Sequence, residues 1–216
     1  MTDLVFDVVE AVADRFAVVP SLTLKLRITD VDGGRIDAIA LRCQIRIEPQ
    51  QRRYSAEEAE RLHDLFGDTD RWADTLKPMQ LTTLSTMVPG FTGATTQDLP
   101  LQCTYDLEIA STKYFSSLED GVVPLLLLFS GTVFTTRDGR VSVEQVPWSK
   151  ECAFPLPVSV WRQTVAAHFP DSAWFLVRLD TMESLRRYKS RNALPTWDST
   201  IAALLAEVEE RKGTSC

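Results

Sequence analysis

Histidine, the side chain that most often moves protons or holds metals near neutral pH, occurs only twice in these 216 residues, at 63 and 168. Neither belongs to an H-x-x-x-H or H-E-x-x-H pattern. His63 lies beside Asp64 within a helical stretch, and His168 falls in the last turn of another. The four cysteines, at 43, 103, 152 and 216, form no C-x-x-C pair, which removes the usual metal frameworks and disulfide staples. Phe129-Ser130-Gly131 lacks the preceding glycine of a nucleophile elbow. Pro89-Gly90-Phe91-Thr92-Gly93 lacks the lysine of a phosphate loop and reads as a turn. Asp106 and Glu108 share a strand face but read as solvated carboxylates. These absences predict no catalytic residue, no resident metal and no cofactor.

An excess of positive charge is also missing. Lys and Arg number 23 against 30 Asp and Glu, a net charge of −7. Nucleic acid and anionic lipid are therefore poor partners, since both need clustered cations to displace counterions. The longest apolar run, residues 122–129, contains a proline and is eight residues long. A membrane-spanning helix needs roughly 20. The first residues carry Asp3 and Asp7 where a secretory leader would be basic, so the expected compartment is the cytoplasm.

What is present is strand patterning. Leu22, Leu24, Leu26 and Ile28 alternate with Thr23, Lys25, Arg27 and Thr29, and Leu41, Cys43, Ile45 and Ile47 alternate with Arg42, Gln44, Arg46 and Glu48. Asp30-Val31-Asp32-Gly33-Gly34 between them has turn chemistry, so the two runs are expected to form a hairpin. Ser55-Ala56-Glu57-Glu58 is a capping box and predicts a short helix near 55–66. A loop holding Trp72 follows, then strands around 81–88 and 101–109. Residues 122–134 are apolar in both phases and predict a central strand covered on both faces, with Gly131 marking a bulge or close backbone approach. Arg137-Asp138-Gly139-Arg140 predicts a hairpin into residues 141–146.

After Pro157 the period becomes helical: Val158, Trp161, Val165 and Phe169 in one run, and Trp197, Ile201, Leu204, Leu205 and Val208 in another. Between them, Asp180-Thr181-Met182-Glu183 reads as a second capping box. The expected class is α+β. It would be an antiparallel β-sandwich or strongly twisted sheet over 1–155, carrying the short helix, with about three helices over 156–216.

Two features suit recognition better than chemistry. Arg42, Arg46, Arg52 and Arg53 form a cationic stripe, and arginine grips carboxylates in bidentate fashion. Trp148, Trp161, Trp174 and Trp197 gather in the C-terminal part, and tryptophan is over-represented at interface hot spots. Cys152, outside the strand patterns, and Cys216 at the end of the sequence are the candidate reactive thiols. Cys43 and Cys103 alternate in phase with core leucines.

Five motifs carry a family resemblance: Leu41-Arg42-Cys43-Gln44-Ile45-Arg46-Ile47-Glu48-Pro49-Gln50, Met87-Val88-Pro89-Gly90-Phe91-Thr92-Gly93, the run from Pro124 to Phe134, Val146-Pro147-Trp148, and Ala193-Leu194-Pro195-Thr196-Trp197-Asp198. Across nearly its whole length the chain resembles an uncharacterised actinobacterial domain-of-unknown-function family. That family has no assigned catalytic residues to carry over. The resemblance implies a setting, because such proteins tend to be encoded among the genes of [NiFe] hydrogenases. The expectation is a non-catalytic accessory or assembly protein that binds a partner protein, a hydrogenase subunit or maturation intermediate first among them. A rival is a small-ligand or metallocofactor-binding protein, or an enzyme of unfamiliar design, using the arginine-lined face. A homodimer built on an exposed apolar helix face is the third reading.

Overall fold

A computed structural model describes residues 2–14, 16–103, 109–137, 139–168 and 177–213. Eight strands and seven α-helices appear among them: β1 Leu4–Asp14, β2 Ser21–Asp30, β3 Arg35–Ile47, α1 Ala56–Arg61, α2 His63–Phe66, α3 Trp72–Thr75, β4 Met79–Thr92, β5 Ala94–Gln102, α4 Ile109–Ser117, β6 Val122–Arg137, β7 Arg140–Gln145, β8 Glu151–Pro157, α5 Val158–His168, α6 Leu179–Arg191 and α7 Trp197–Gly213. The chain divides into two compact units, Met1–Asp171 and Ser172–Cys216. Helix α5 belongs to the first.

The first unit is an α+β sandwich. One sheet has the order β1-β2-β5, the other β4-β3-β6-β7, with β8 also paired to β6 and every pairing antiparallel. Leucine and isoleucine of β2 and β3 fill the space between the sheets, as the alternation predicts. Leu22, Leu24, Leu26, Ile28, Ile39, Leu41, Ile45 and Ile47 are all buried. Phe6 of one sheet stacks on Phe129 of the other with centroids 4.3 Å apart, a contact worth roughly 0.5–1.5 kcal/mol beyond its burial.

The expected β2–β3 hairpin does not form. The two strands lie in different sheets, and Asp30-Val31-Asp32-Gly33-Gly34 carries the chain from one to the other. A second crossing, from β4 to β5 at Gly93, is stitched to it: Asp30 N–H donates to the Gly93 carbonyl at 2.7 Å, and Gly93 has φ +71°. Tight-turn residues suit a hairpin or a sheet-to-sheet arch equally. Distant pairing decided the outcome, because β2 finds β1 and β5 while β3 finds β4 and β6. The stretch 89–92, expected to turn, continues β4, and only Gly93 turns. Among described residues the expected strand 101–109 ends at Gln102, and Ile109 already begins α4. Tyr105, Asp106, Leu107 and Glu108 lie outside the described residues.

Helical expectations fared unevenly. Glu58 N–H donates to Ser55 Oγ at 3.1 Å, and Ser55 N–H to Glu58 Oε2 at 3.2 Å, the full capping box. The helix breaks at Leu62 into α1 and α2. The loop holding Trp72 contains helix α3, and Trp72 packs edge-on to Tyr54 at 5.1 Å. The second capping box is absent, since α6 starts at Leu179, before Asp180.

Strand β6 is central, as expected, but only one of its faces is fully covered. Val123, Leu125, Leu127, Phe129 and Val133 are buried, whereas Leu126, Leu128 and Phe134 on the other face are half-buried. Gly131 is the close approach its position predicts. A Cβ there would sit 2.1 Å from the Ala40 carbonyl oxygen of β3.

Candidate functional site

Strands β7 and β8 run along the same edge of β6 and are one strand interrupted. β7 pairs with Thr132–Arg137 of β6 and β8 with Val122–Leu128. Between them, Val146 N–H donates to the Gly131 carbonyl, and Lys150 accepts from Phe129 N–H, both at 2.9 Å. Five residues, 146–150, thus face three of β6, 129–131, and the two extra residues loop outward. Lys150 N–H closes the loop on the Pro147 carbonyl at 3.0 Å. Trp148 rides at its tip and is 91% exposed. So large an apolar side chain gains nothing from water there.

The bulge overhangs a cleft of about 370 Å³ lined by Arg42, Gln44, Gln80, Thr83, Leu128, Ser130 and Trp148. Strand pairing sets its floor. Arg42 lies between Ser85 and Ser130, and Gln44 between Thr83 and Leu128. Gln44 donates to Gln80 at 3.1 Å and Gln80 to Thr83 at 3.3 Å, so the amides are held in orientation. Arg42 is exposed, and among the described residues no hydrogen bond or ion pair engages its guanidinium. The cleft thus offers a free bidentate donor beside an open indole face.

The rows beyond the cleft are apolar. Pro89, Ala38, Phe134 and Val143 form one row across β4, β3, β6 and β7, with Met87 and Ala40 in the next. Met87, Val141 and Val143 are exposed. The outer face of the three-stranded sheet is different: Asp7 opposes Arg27, and Glu10 opposes Lys25, which opposes Asp98. Lys25 and Asp98 meet at 2.9 Å. Val5, Val9 and Val12 of β1 are exposed as well, so apolar exposure occurs on both sheets, and the charge pairing across three strands is what sets the three-stranded sheet apart.

The structure brings Arg42 and Trp148 together and distributes the other candidates elsewhere. Arg46, four residues along β3 from Arg42, is half-buried and 3.3 Å from Glu48. Arg52 is an internal clasp: its side chain and that of Glu58 are 8% and 4% exposed, joined at 2.6 Å. Its guanidinium also donates to the carbonyls of Val122 at 2.7 Å and Asp120 at 2.8 Å, while Glu58 accepts from Glu119 N–H at 2.9 Å. Arg53 is exposed on the rim of a separate hollow of about 490 Å³ near that clasp. Trp161 is in the core, stacked on Phe115 at 4.3 Å. Trp197 belongs to the second unit, with Lys189 5.9 Å from its ring centre. Trp174 and Cys216 lie outside the described residues.

Cys152 is half-buried, and its thiol is held above the ordinary range mainly by burial, with Asp7 adding to the effect. Burial pushes Cys43 and Cys103 up to about 12. His63 is exposed beside Asp68 at 3.1 Å. The ring nitrogens of His168 lie 3.0 and 2.8 Å from the Thr164 and Ala17 carbonyl oxygens, a structural clamp. Among the described residues no three His, Cys, Asp or Glu could hold a metal together, and no helix is long and apolar enough to cross a membrane.

Gln80, Thr83, Leu128 and Ser130 were not legible as site residues, because strand register alone unites them. A signal for the bulge did exist: Pro147-Trp148-Ser149 interrupts two runs of period two.

The chain belongs to the family of unknown function DUF6084, whose model matches residues 1–213. No curated protein matches it. Among solved structures it is similar to the β-glucosidase from Kluyveromyces marxianus in complex with glucose, at a TM-score of 0.25 and 11% identity over 72% of this chain. The selenomethionine form of that enzyme gives 0.24 and 14% over the same share. This chain spans 15% of the length of either one, and likeness at that level says nothing of activity.

Proposed function

We propose, for this member of a family without an assigned role, a non-catalytic accessory protein that binds a partner protein through the outer face of its five-stranded sheet. One observation carries the reading: Trp148, 91% exposed on a bulge, stands over the unpaired Arg42 at the border of an apolar sheet face. Interface centres are depleted in charge and enriched in Trp, Met and Arg. This face matches that composition with Trp148, Met87 and Arg42, and the charged outer face of the other sheet does not. Arg42 supplies orientation by gripping a partner carboxylate, and the row Pro89, Ala38, Phe134 and Val143 supplies apolar area.

The family resemblance points to a cytoplasmic subunit or maturation intermediate of a [NiFe] hydrogenase as the partner. The test is capture with a tagged chain in the native host. The expected result is one stoichiometric hydrogenase subunit, lost with Trp148→Ala and Arg42→Glu while the circular dichroism spectrum is unchanged. Capture that survives both substitutions, or hydrogenase maturation unaltered in a deletion strain, would overturn the reading.

A second reading has its own support, since the cleft under Trp148 has room for a small anion with a flat apolar part. Native mass spectrometry of the protein as isolated separates the two. A bound small molecule lost with Arg42→Ala favours the ligand.

A further inference from the structure

The second unit, taken alone, is a helical hairpin. α6 ends at Arg191, the chain reverses through Ala193 at φ +49°, and α7 begins at Trp197. Lys189 Nζ ties the turn by donating to the Leu194 carbonyl at 2.7 Å and the Pro195 carbonyl at 3.0 Å. Thr196 and Ser199 cap α7 reciprocally, each backbone N–H meeting the other's hydroxyl at 3.1 Å. Tyr188 donates to Glu207 across the pair.

Among its described residues this hairpin has no apolar core. Leu179 is 70% exposed and Leu205 61%, Val208 and Trp197 are exposed as well, and Met182, Leu185, Ile201 and Leu204 are half-buried. Among the described residues not one apolar side chain of the unit is buried. Two helices with both stripes open to water cannot offset the entropy of ordering them, so something must cover those stripes.

We propose that the cover is the same hairpin of a second copy of this chain, forming a two-fold-symmetric four-helix bundle. Charge selects this occupant. In sequence, α6 carries Arg186, Arg187, Lys189 and Arg191 against Asp180 and Glu183, and α7 carries Asp198, Glu207, Glu209 and Glu210 against Arg211 and Lys212. One helix is basic, the other acidic, by equal margins. A two-fold axis sets each basic helix against the partner's acidic one, so the surface complements itself twice. The apolar spacing, 197, 201, 204 and 208 on α7 and 182 and 185 on α6, is that of bundle seams. The first unit, which carries the proposed partner face, is not required, so the two proposals stand or fall separately.

The experiment is light scattering of the full chain over about 1–100 μM at low salt. The expected mass is twice 24.3 kDa. Leu205→Glu should give a monomer that loses the helical circular dichroism of the second unit while the melting temperature of the first unit is unchanged. Arg186→Glu with Arg187→Glu should do the same, as should Glu207→Lys with Glu209→Lys. Mixing the two charge-reversed proteins should restore a dimer made of one copy of each. A monomeric wild type overturns the proposal, and so does a dimer indifferent to these substitutions. A Leu205→Glu monomer with a lowered first-unit melting temperature overturns it too, because the stripe would then be covered within the chain.

Discussion

Replacing Gly131 by alanine should come close to unfolding the first unit. The added Cβ would stand 2.1 Å from the Ala40 carbonyl oxygen, 3.1 Å from its carbon and 3.2 Å from Leu41 Cα, whereas real Cβ atoms keep at least 3.0 Å from such neighbours. Relief needs about 1 Å of separation between β3 and β6, the two middle strands. That stretches the flanking ladder bonds from about 2.9 Å to beyond hydrogen-bond range. Two such bonds left unmade in a dry interior cost about 1–3 kcal/mol each. The backbone angle, φ +149° at Gly131, adds strain of about 1–3 kcal/mol for a side-chain-bearing residue. The expected loss is about 3–9 kcal/mol, comparable with a small domain's whole stability of about 5–15 kcal/mol. Urea unfolding followed by fluorescence measures it. Gly33→Ala is the control, since Gly33 also has positive φ, +68°, but open space around it, so only strain of about 1–2 kcal/mol applies. If both variants lose the same amount, the clash argument is wrong.

Further outcomes follow from the clasp, the thiols and the bulge. Arg52→Met or Glu58→Gln alone should each cost about 3–5 kcal/mol, because each strands a buried charge, and the double variant should cost less than their sum. A strictly additive double-mutant cycle in urea would contradict the pairing. Burial raises Cys43, Cys103 and Tyr54 to about 12 and Tyr114 higher still, so unfolding releases protons above pH 9. Raised folded values mean stability is intact below pH 9 and declines between pH 9 and 12. The slope is about 1.4 kcal/mol per pH unit for each group ionised only when unfolded. A flat urea midpoint from pH 8 to 11 would refute this. Trp148→Phe should remove most of the iodide-quenchable fluorescence of the first unit while leaving its stability within about 0.5 kcal/mol, since the ring supports no packing.

The sandwich was legible because β2 and β3 alternate and β6 is a long run apolar in both phases; burial follows the alternation from Leu22 to Ile28 and from Ile39 to Ile47. Strand β1 was not, because a register shift between Val8 and Glu10 breaks its pattern after three inward residues. β8 was hidden by Pro155 and Pro157, which an edge strand tolerates and a central one does not. α4, Ile109–Ser117, is poor in strong helix formers, and tertiary burial of Tyr114 and Phe115 holds it. Of the candidate site, Arg42 and Trp148 were legible as recognition residues singly. Their meeting depends on the pairing of β3 with β6 and of β6 with both halves of an interrupted strand, which no local pattern encodes.

The insertion that lifts Trp148 out of the sheet is two residues long, and a strand repeats every two residues. Val141, Val143 and Gln145 before it therefore face the same side as Glu151, Ala153 and Pro155 after it. An insertion of one residue would instead need the kink and local twist of a bulge, as between Val8 and Glu10 of β1, to keep the side chains of β8 on their faces. An even one behaves as a cassette. It can be lengthened, shortened or excised in steps of two, and the sandwich beneath keeps its pairing and its core. The most exposed aromatic of this sheet is thus free to vary in evolution, or in the laboratory, independently of the fold that carries it.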